Sequence, residues 1–277
     1  QRAKPVIPGD PATTGCSGLT DHYACVILAP HPTESKRPAM WQSYETPSSV
    51  TKALAILNRY GGRARIIAGG TDLMLELQEG KHTVECLVDV TRIPDLDRIE
   101  RVGPWIVLGG NVTFRQIKES TLLRAHARVL VEAAATVGAL QIQTVATLAG
   151  NIVSALPAAD GCVALVSLDA EVEIAGTAGR SWRPVGELFL GVGRSAVDPT
   201  CEMLTAIRFR AAEPGQGSAW ERIGRREGLV LPILNCAVSL ALSSDRDQIE
   251  WARIALGPVA PIPFRAREAE AYLAGRP

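Results

Sequence analysis

The sequence predicts an α+β chain: an α/β unit, then a mixed middle unit, then an antiparallel sheet backed by helix. Three observations carry this. Two short glycine-bearing turns, Ile66-Ile67-Ala68-Gly69-Gly70-Thr71-Asp72-Leu73 and Thr147-Leu148-Ala149-Gly150-Asn151, each follow an apolar stretch. Apolar residues at helical spacing alternate with short β-branched runs through the first two thirds of the chain. The last third holds strand-like runs at Ala219–Ile223, Ile233–Leu242 and Ile249–Leu256, followed by a helix predicted from Phe264 to Leu273.

Residues 1–38 stand apart. Pro5, Pro8, Pro11, Pro30, Pro32 and Pro38 interrupt any periodicity, so this stretch reads as an irregular arm or linker. Thr46-Pro47 looks like an N-cap and first-turn proline. Val50, Ala53, Leu54 and Leu57 then share a helical face that Gly61-Gly62 ends. A strand over Arg65–Ala68 leads into the first glycine turn, and a strand at Cys86–Val90 follows a short helical stretch.

The middle unit opens with a strand at Trp105–Leu108. Thr113 and Gln116 have the spacing of a capping box, and Leu130, Ala133, Ala134 and Val137 mark a further helix. After the second glycine turn, Ala170–Ala175 alternates as a strand, and the Gly- and Pro-rich stretch 176–199 reads as loop. The expected divisions are 39–96, 97–213 and 214–277.

Bulk properties exclude several function classes. The 277 residues carry no formal net charge, which gives no basic field for nucleic acid or an anionic membrane. Aromatic residues make up only 5%, too few for a base-stacking platform. No apolar run reaches the roughly 18 residues of a membrane span. The chain begins at Gln1 without a charged-then-apolar signal, as expected of a processed or truncated cytoplasmic protein. Six scattered cysteines (Cys16, Cys25, Cys86, Cys162, Cys201 and Cys236) form no C-x-x-C pair, so reduced thiols are expected and no metal site.

The chemistry lies in the turns. Gly69 and Gly70 permit positive φ or close approach of a ligand, and consecutive N–H groups in such a turn suit a phosphate. Thr71 and Asp72 are placed to cap the helix that follows. A plain strand–turn–helix joint answers the same pattern. Gly191-Val192-Gly193-Arg194-Ser195-Ala196 matches the short dinucleotide fingerprint, but Pro199 lies where its helix must run, which argues against a Rossmann site. His22, His31, His82 and His126 are dispersed, and no nucleophile–base set is visible. No catalytic residue is assigned; a cradle without an acid–base cluster suits a cofactor that carries the chemistry itself.

Both turns, in this order, resemble the FAD-binding medium subunit of molybdenum hydroxylases, the group of carbon monoxide and xanthine dehydrogenases. The resemblance extends through Leu87-Val88-Asp89-Val90-Thr91-Arg92-Ile93-Pro94, Gln141-Ile142-Gln143 to Asn151, Ser154-Ala155-Leu156-Pro157-Ala158-Ala159-Asp160 and Ala255-Leu256-Gly257-Pro258-Val259-Ala260-Pro261, and covers about Trp41 to Gly275. It implies a two-subdomain FAD-binding fold of the PCMH/VAO-like kind with a C-terminal sheet-plus-helix domain.

The resemblance also implies the site. Ile67, Ala68, Gly69, Gly70, Thr71, Asp72 and Leu73 would hold the FAD pyrophosphate, with Ala146, Thr147, Gly150 and Asn151 approaching from the middle subdomain. Asp160 would meet a ribose or nearby hydroxyl, Leu204 would pack against the flavin or adenine side, and Trp220 falls near an aromatic position by the isoalloxazine. Ala149 stands where relatives often have a second glycine, which is compatible with binding if its φ is negative. Glu221 stands at a position that is lysine in some relatives, and the chain stops before a last helix common among them. Molybdenum cofactor and [2Fe–2S] clusters are implied only on partner subunits, a molybdopterin large subunit and a small iron–sulfur subunit, in a dimer of heterotrimers. The acceptor would be NAD, a quinone or O2. Two other readings stay open: a stand-alone FAD-dependent oxidoreductase of the same fold, and an assembly subunit that has lost its flavin.

Overall fold

Residues 40–226 and 230–277 are described in a computed structural model of the chain. The Pro-rich segment, with Cys16, Cys25, His22 and His31, lies outside the described residues.

The first unit is a small parallel sheet. Strand β1 (Ser43–Glu45) is followed by helix α1 (Val50–Tyr60), then β2 (Ala64–Ile67), α2 (Leu73–Gln78) and β3 (Cys86–Asp89), with strand order β1-β3-β2. Helix α1 starts three residues after the expected Thr46-Pro47 start. Ser49 is the cap: its backbone is extended (φ −158°, ψ 158°) and its hydroxyl accepts the Lys52 N–H at 3.2 Å. Val50, Ala53 and Leu57 are buried, as their spacing predicts, and Gly61 ends the helix at φ 53°.

The middle unit is a five-stranded antiparallel sheet covered by helices. A hairpin of β4 (Ile99–Val102) and β5 (Trp105–Gly109) leads to α3 (Phe114–Glu119), α4 (Thr121–His126), α5 (Arg128–Thr136), α6 (Leu140–Val145), α7 (Leu148–Ser154) and α8 (Asp160–Ser167). The chain returns through β6 (Glu171–Gly176), β7 (Gly179–Pro184), a 3-10 turn at Val185–Leu188, the short strands β8 (Phe189–Gly191) and β9 (Arg194–Ser195), and β10 (Met203–Arg210). The sheet order is β4-β5-β10-β6-β7. Ile106, Leu108, Val172, Ile207 and Phe209 face a core completed by Phe114, Leu130 and Leu165. The expected capping box is formed: Gln116 N–H donates to Thr113 Oγ1 at 3.2 Å, and Thr113 N–H to Gln116 Oε1 at 2.9 Å.

One expectation fails here, and one strand was missed. The stretch 176–199 is not plain loop, because β7 takes its hydrogen bonds from β6 in register from Gly176↔Gly179 to Glu171↔Pro184. Strand β10 was not anticipated. The G-x-G-x-x-A match falls in the β8–β9 hairpin and is followed by no helix, so it is no Rossmann turn.

The last unit is an antiparallel sheet, β11 (Gln216–Ile223), β12 (Leu234–Leu242), β13 (Ile249–Gly257) and β14 (Phe264–Arg265), closed by α9 (Arg267–Leu273). The predicted helix starts later than Phe264, since Phe264 and Arg265 pair with Leu256 and Ala255 first. Every residue of α8 is buried, and the helix packs on β12 and β13, so it serves the middle and last units at once. Among the described residues, no helix is long and apolar enough to cross a membrane.

Candidate functional site

The two glycine turns meet. Gly69 lies so close to the Val145–Ala146 peptide that a methyl at Gly69 would overlap the Val145 carbonyl. Only glycine permits this approach of two backbones. Gly70, next along, has φ 66°, a left-handed residue of the kind that makes neighbouring N–H groups converge on an anion. None of the backbone N–H groups from Ala68 to Leu73 donates to an acceptor among the described residues. Such a row is rare within a folded chain, where backbone donors are normally paired. It fits the pyrophosphate of a dinucleotide.

Asp72 does not cap α2. It occupies the N-cap position without a side-chain cap bond, and its Oδ2 instead accepts the Ser154 hydroxyl at 2.7 Å. The first turn is therefore tied to the second segment at two points, Gly69 to Val145 and Asp72 to Ser154.

The second turn begins with α6. Gln143 is buried; its amide donates to Ala135 and Val137 carbonyls at 3.2 and 3.0 Å and accepts from Lys118 Nζ at 3.1 Å. These bonds tie α6 to the end of α5. Thr147 then bridges to Thr113, with Leu148 N–H on Val112 O and Phe114 N–H on Ala146 O. The Thr147 hydroxyl accepts the Gly150 N–H at 3.0 Å and so caps α7. The Gly150 amide is thereby already engaged, whereas nothing but the Thr147 hydroxyl lies near its open Cα face. Ala149 is buried in the first turn of α7 with negative φ, so the departure from glycine costs no backbone strain.

Asp160 sits behind this turn. Only 5% of the residue is exposed. Oδ1 accepts the Asn235 amide at 2.8 Å; Oδ2 accepts the Thr136 hydroxyl at 3.0 Å and Arg222 Nη1 at 3.2 Å. Burial pushes the Asp160 carboxyl above the usual carboxylate range, and the Asn235 bond, the Arg222 charge and the Thr136 hydroxyl pull it back only in part. The expected contact of this carboxylate with a ribose hydroxyl therefore competes with three protein donors. The N–H groups of Asp160 and Gly161, at the start of α8, donate to no acceptor among the described residues.

Two side chains expected beside the flavin, Leu204 and Trp220, are both buried. Leu204 is 5% exposed within the middle core, where its carbonyl lies against Gly110. Trp220 is buried on β11; its backbone N–H donates to Glu132 Oε2 at 3.0 Å, and its indole Nε1 finds no partner among the described residues. Strand alternation then turns Glu221 to solvent and Arg222 inward. Arg222 was missed at the sequence level, although its i, i+2 relation to an aromatic residue on a half-buried strand placed it on the inner face. It also donates to the carbonyls of Thr136 and Val230.

Similarity to known proteins identifies the family. Residues 38–209 match the family described as the FAD binding domain in molybdopterin dehydrogenase, and residues 219–277 match the CO dehydrogenase flavoprotein C-terminal domain. The chain is 28% identical over 235 residues to the nicotinate dehydrogenase FAD-subunit of Eubacterium barkeri, covering 83% of this chain and 79% of that one. It is 29% identical over 233 residues to the carbon monoxide dehydrogenase medium chain of Hydrogenophaga pseudoflava, covering 84% and 80%. A solved carbon monoxide dehydrogenase from Hydrogenophaga pseudoflava superposes with a TM-score of 0.80 at 30% identity, over 85% of this chain and 81% of that one. The chain belongs to the molybdopterin dehydrogenase FAD-binding family, as a flavoprotein medium subunit of the molybdenum hydroxylase type.

Proposed function

We propose that the chain holds FAD between its two glycine turns and relays electrons within a molybdenum hydroxylase complex. The row of N–H groups from Ala68 to Leu73 that find no acceptor among the described residues carries this reading, because it offers a pyrophosphate a set of open donors. Ile67 and Ala68 lead into the cradle, and Gly69 and Gly70 open its floor. Thr71, Asp72 and Leu73 complete its rim. Ala146, Thr147, Gly150 and Asn151 face it from the middle subdomain, with Asp160 toward a ribose or nearby hydroxyl and Leu204 packing on the flavin or adenine side. Residues 39–96 and 97–213 are assigned as the two FAD-binding subdomains and 214–277 as the C-terminal domain.

When bound, FAD would supply the redox chemistry, the capacity to exchange single electrons with [2Fe–2S] clusters and pairs with NAD, a quinone or O2. The protein binds and orients the cofactor and needs no base of its own. The partners in this reading are a small iron–sulfur subunit and a molybdopterin large subunit, assembled as a dimer of heterotrimers in the cytoplasm. Relatives named as a FAD-subunit, a medium chain and a FAD-binding subunit of dehydrogenases support the reading of a subunit in a larger complex.

The purified chain is expected to show the two flavin absorbance bands in the near-ultraviolet and blue, and to release FAD on denaturation. Colourless protein that takes up no added FAD would refute the reading in favour of an assembly subunit without flavin.

A further inference from the structure

We propose that Asn235, on the C-terminal sheet, is a positioning residue for the cofactor turn and acts through Asp160 and the start of α8 on Asn151. The inference rests on the reading of the two glycine turns as an FAD site.

Asn235 is wholly buried, and its Nδ2 donates to Asp160 Oδ1 at 2.8 Å. Its Oδ1 has no hydrogen-bond partner among the described residues. A buried amide with half its capacity unmet is costly, so its place in the core is justified by the one bond it makes. That bond completes a three-donor ring around Asp160, the other donors coming from Thr136 on α5 and Arg222 on β11. The carboxylate thus fixes the first residue of α8 against three separate elements.

The next residues of α8 touch the second glycine turn. A methyl on Gly161 would lie 2.7 Å from Leu148 Cδ1 and 2.9 Å from Asn151 Oδ1, so the helix start is seated directly on α7. The Cys162 thiol donates to the Asn151 carbonyl at 3.4 Å. Asn151 Oδ1 is therefore held toward α8, while its Nδ2 donates to no acceptor among the described residues. The amide hydrogens of Asn151 are left for a ligand, in an orientation that α8 sets.

The other end of α8 provides an internal control. Asp169, just past the helix, pairs with Arg253 at 2.6 Å and with Arg265, which also joins the C-terminal sheet to the middle unit. It is far along the helix from Asn151. Loosening this end disturbs the docking of the sheet but leaves the contact of α8 with Asn151 in place.

The test compares FAD dissociation constants of the full chain, by flavin fluorescence, with the thermal midpoint of the FAD-free protein. Asn235→Leu is expected to weaken FAD by about tenfold or more, and Asp169→Asn by less than about twofold, while both lower the midpoint. The exchanged pair Asp160→Asn with Asn235→Asp rebuilds the bond in reverse and is expected to recover most of the affinity. If Asn235→Leu does not fold, Thr136→Val withdraws one Asp160 donor at constant volume, and a loss of roughly threefold is expected. Equal weakening by Asp169→Asn and Asn235→Leu, or no change in either Asp160-ring variant, overturns the proposal. Wild-type protein that binds no FAD instead refutes the reading on which it rests.

Discussion

The Ser154 hydroxyl donates to the Asp72 carboxylate at 2.7 Å, joining residues 82 positions apart. The bond turns the Asp72 charge toward α7, although Asp72 stands at the head of a helix where it would normally cap. With a pyrophosphate in the proposed site, a carboxylate free to swing over the first turn would repel it, and Ser154 would then both close the cradle and hold that charge aside. Ser154→Ala is expected to weaken FAD by roughly two- to tenfold, the worth of one hydrogen bond of about 0.5–1.5 kcal/mol. Asp72→Asn keeps a partner for Ser154 and removes the charge, so its effect should be smaller or opposite in sign. Fluorescence titration with FAD at fixed ionic strength measures both, and equal losses would sink the electrostatic part of the argument.

At Gly69 and Gly70 two different constraints act on neighbouring residues. A side chain at Gly69 meets the Val145–Ala146 backbone, and neither chain can yield by a rotamer change. Gly69→Ala should therefore part the two turns, lowering stability by about 1–3 kcal/mol and abolishing FAD uptake. At Gly70 a Cβ would lie 3.1 Å from Ile67 Cδ1 and 3.3 Å from Met74 Cγ, both flexible, so space is the lesser problem. The φ of 66° is the greater one, costing a β-branched residue on the order of 1–2 kcal/mol or more. Gly70→Val is expected to lose FAD while partner subunits stay attached, as read by flavin content after co-purification. Full occupancy in that variant would refute the placement of the first loop.

What the sequence revealed follows from how local each feature is. The Thr113–Gln116 box and the α1 face at Val50, Ala53 and Leu57 are set by neighbours within one or two turns, and both were legible. The start of α1 was not, because Thr46-Pro47 and Ser49 are chemically similar caps and only the extended backbone at Ser49 decides between them. The glycines of the first turn stood out, yet the reason Gly69 must be glycine lies 76 positions away at Val145 and leaves no local trace. Likewise Asp160 was singled out, but its donors Thr136, Arg222 and Asn235 come from three elements that only the fold gathers. Arg222 was missed because the strand phase was not applied; it shares the inner face of β11 with Trp220, and Glu221 lies on the outer face.

Thr147 ties the second turn to its own helix through the Gly150 N–H. Thr147→Val preserves shape and β-branching but uncaps α7, at a cost of about 1 kcal/mol. The expected result is a lower thermal midpoint and FAD binding weakened roughly threefold to tenfold, with Thr147→Ser restoring both. Tighter binding in Thr147→Val would mean that the freed Gly150 amide is worth more to the cofactor than the cap is to the helix.

The pH dependence of stability should be traceable to Glu270. Burial alone would raise its pKa, but hydrogen bonds from Arg265 and the Ile254 N–H, with the charges of Arg265 and Arg267, outweigh that and lower it. Arg265 Nη2 donates to Oε2 at 2.9 Å, and the Ile254 N–H to Oε1 at 2.8 Å, which pins α9 to β13. A glutamate depressed in the folded state adds stability above its unfolded pKa, roughly 4.3, and loses it as pH falls through the lower folded value. Glu270→Gln should therefore be less stable than wild type at neutral pH by an amount that shrinks steadily below about pH 4.3. Urea unfolding followed at several pH values checks this. A difference between wild type and variant that does not change with pH would show that Glu270 acts by shape and hydrogen bonding alone, with its charge contributing nothing.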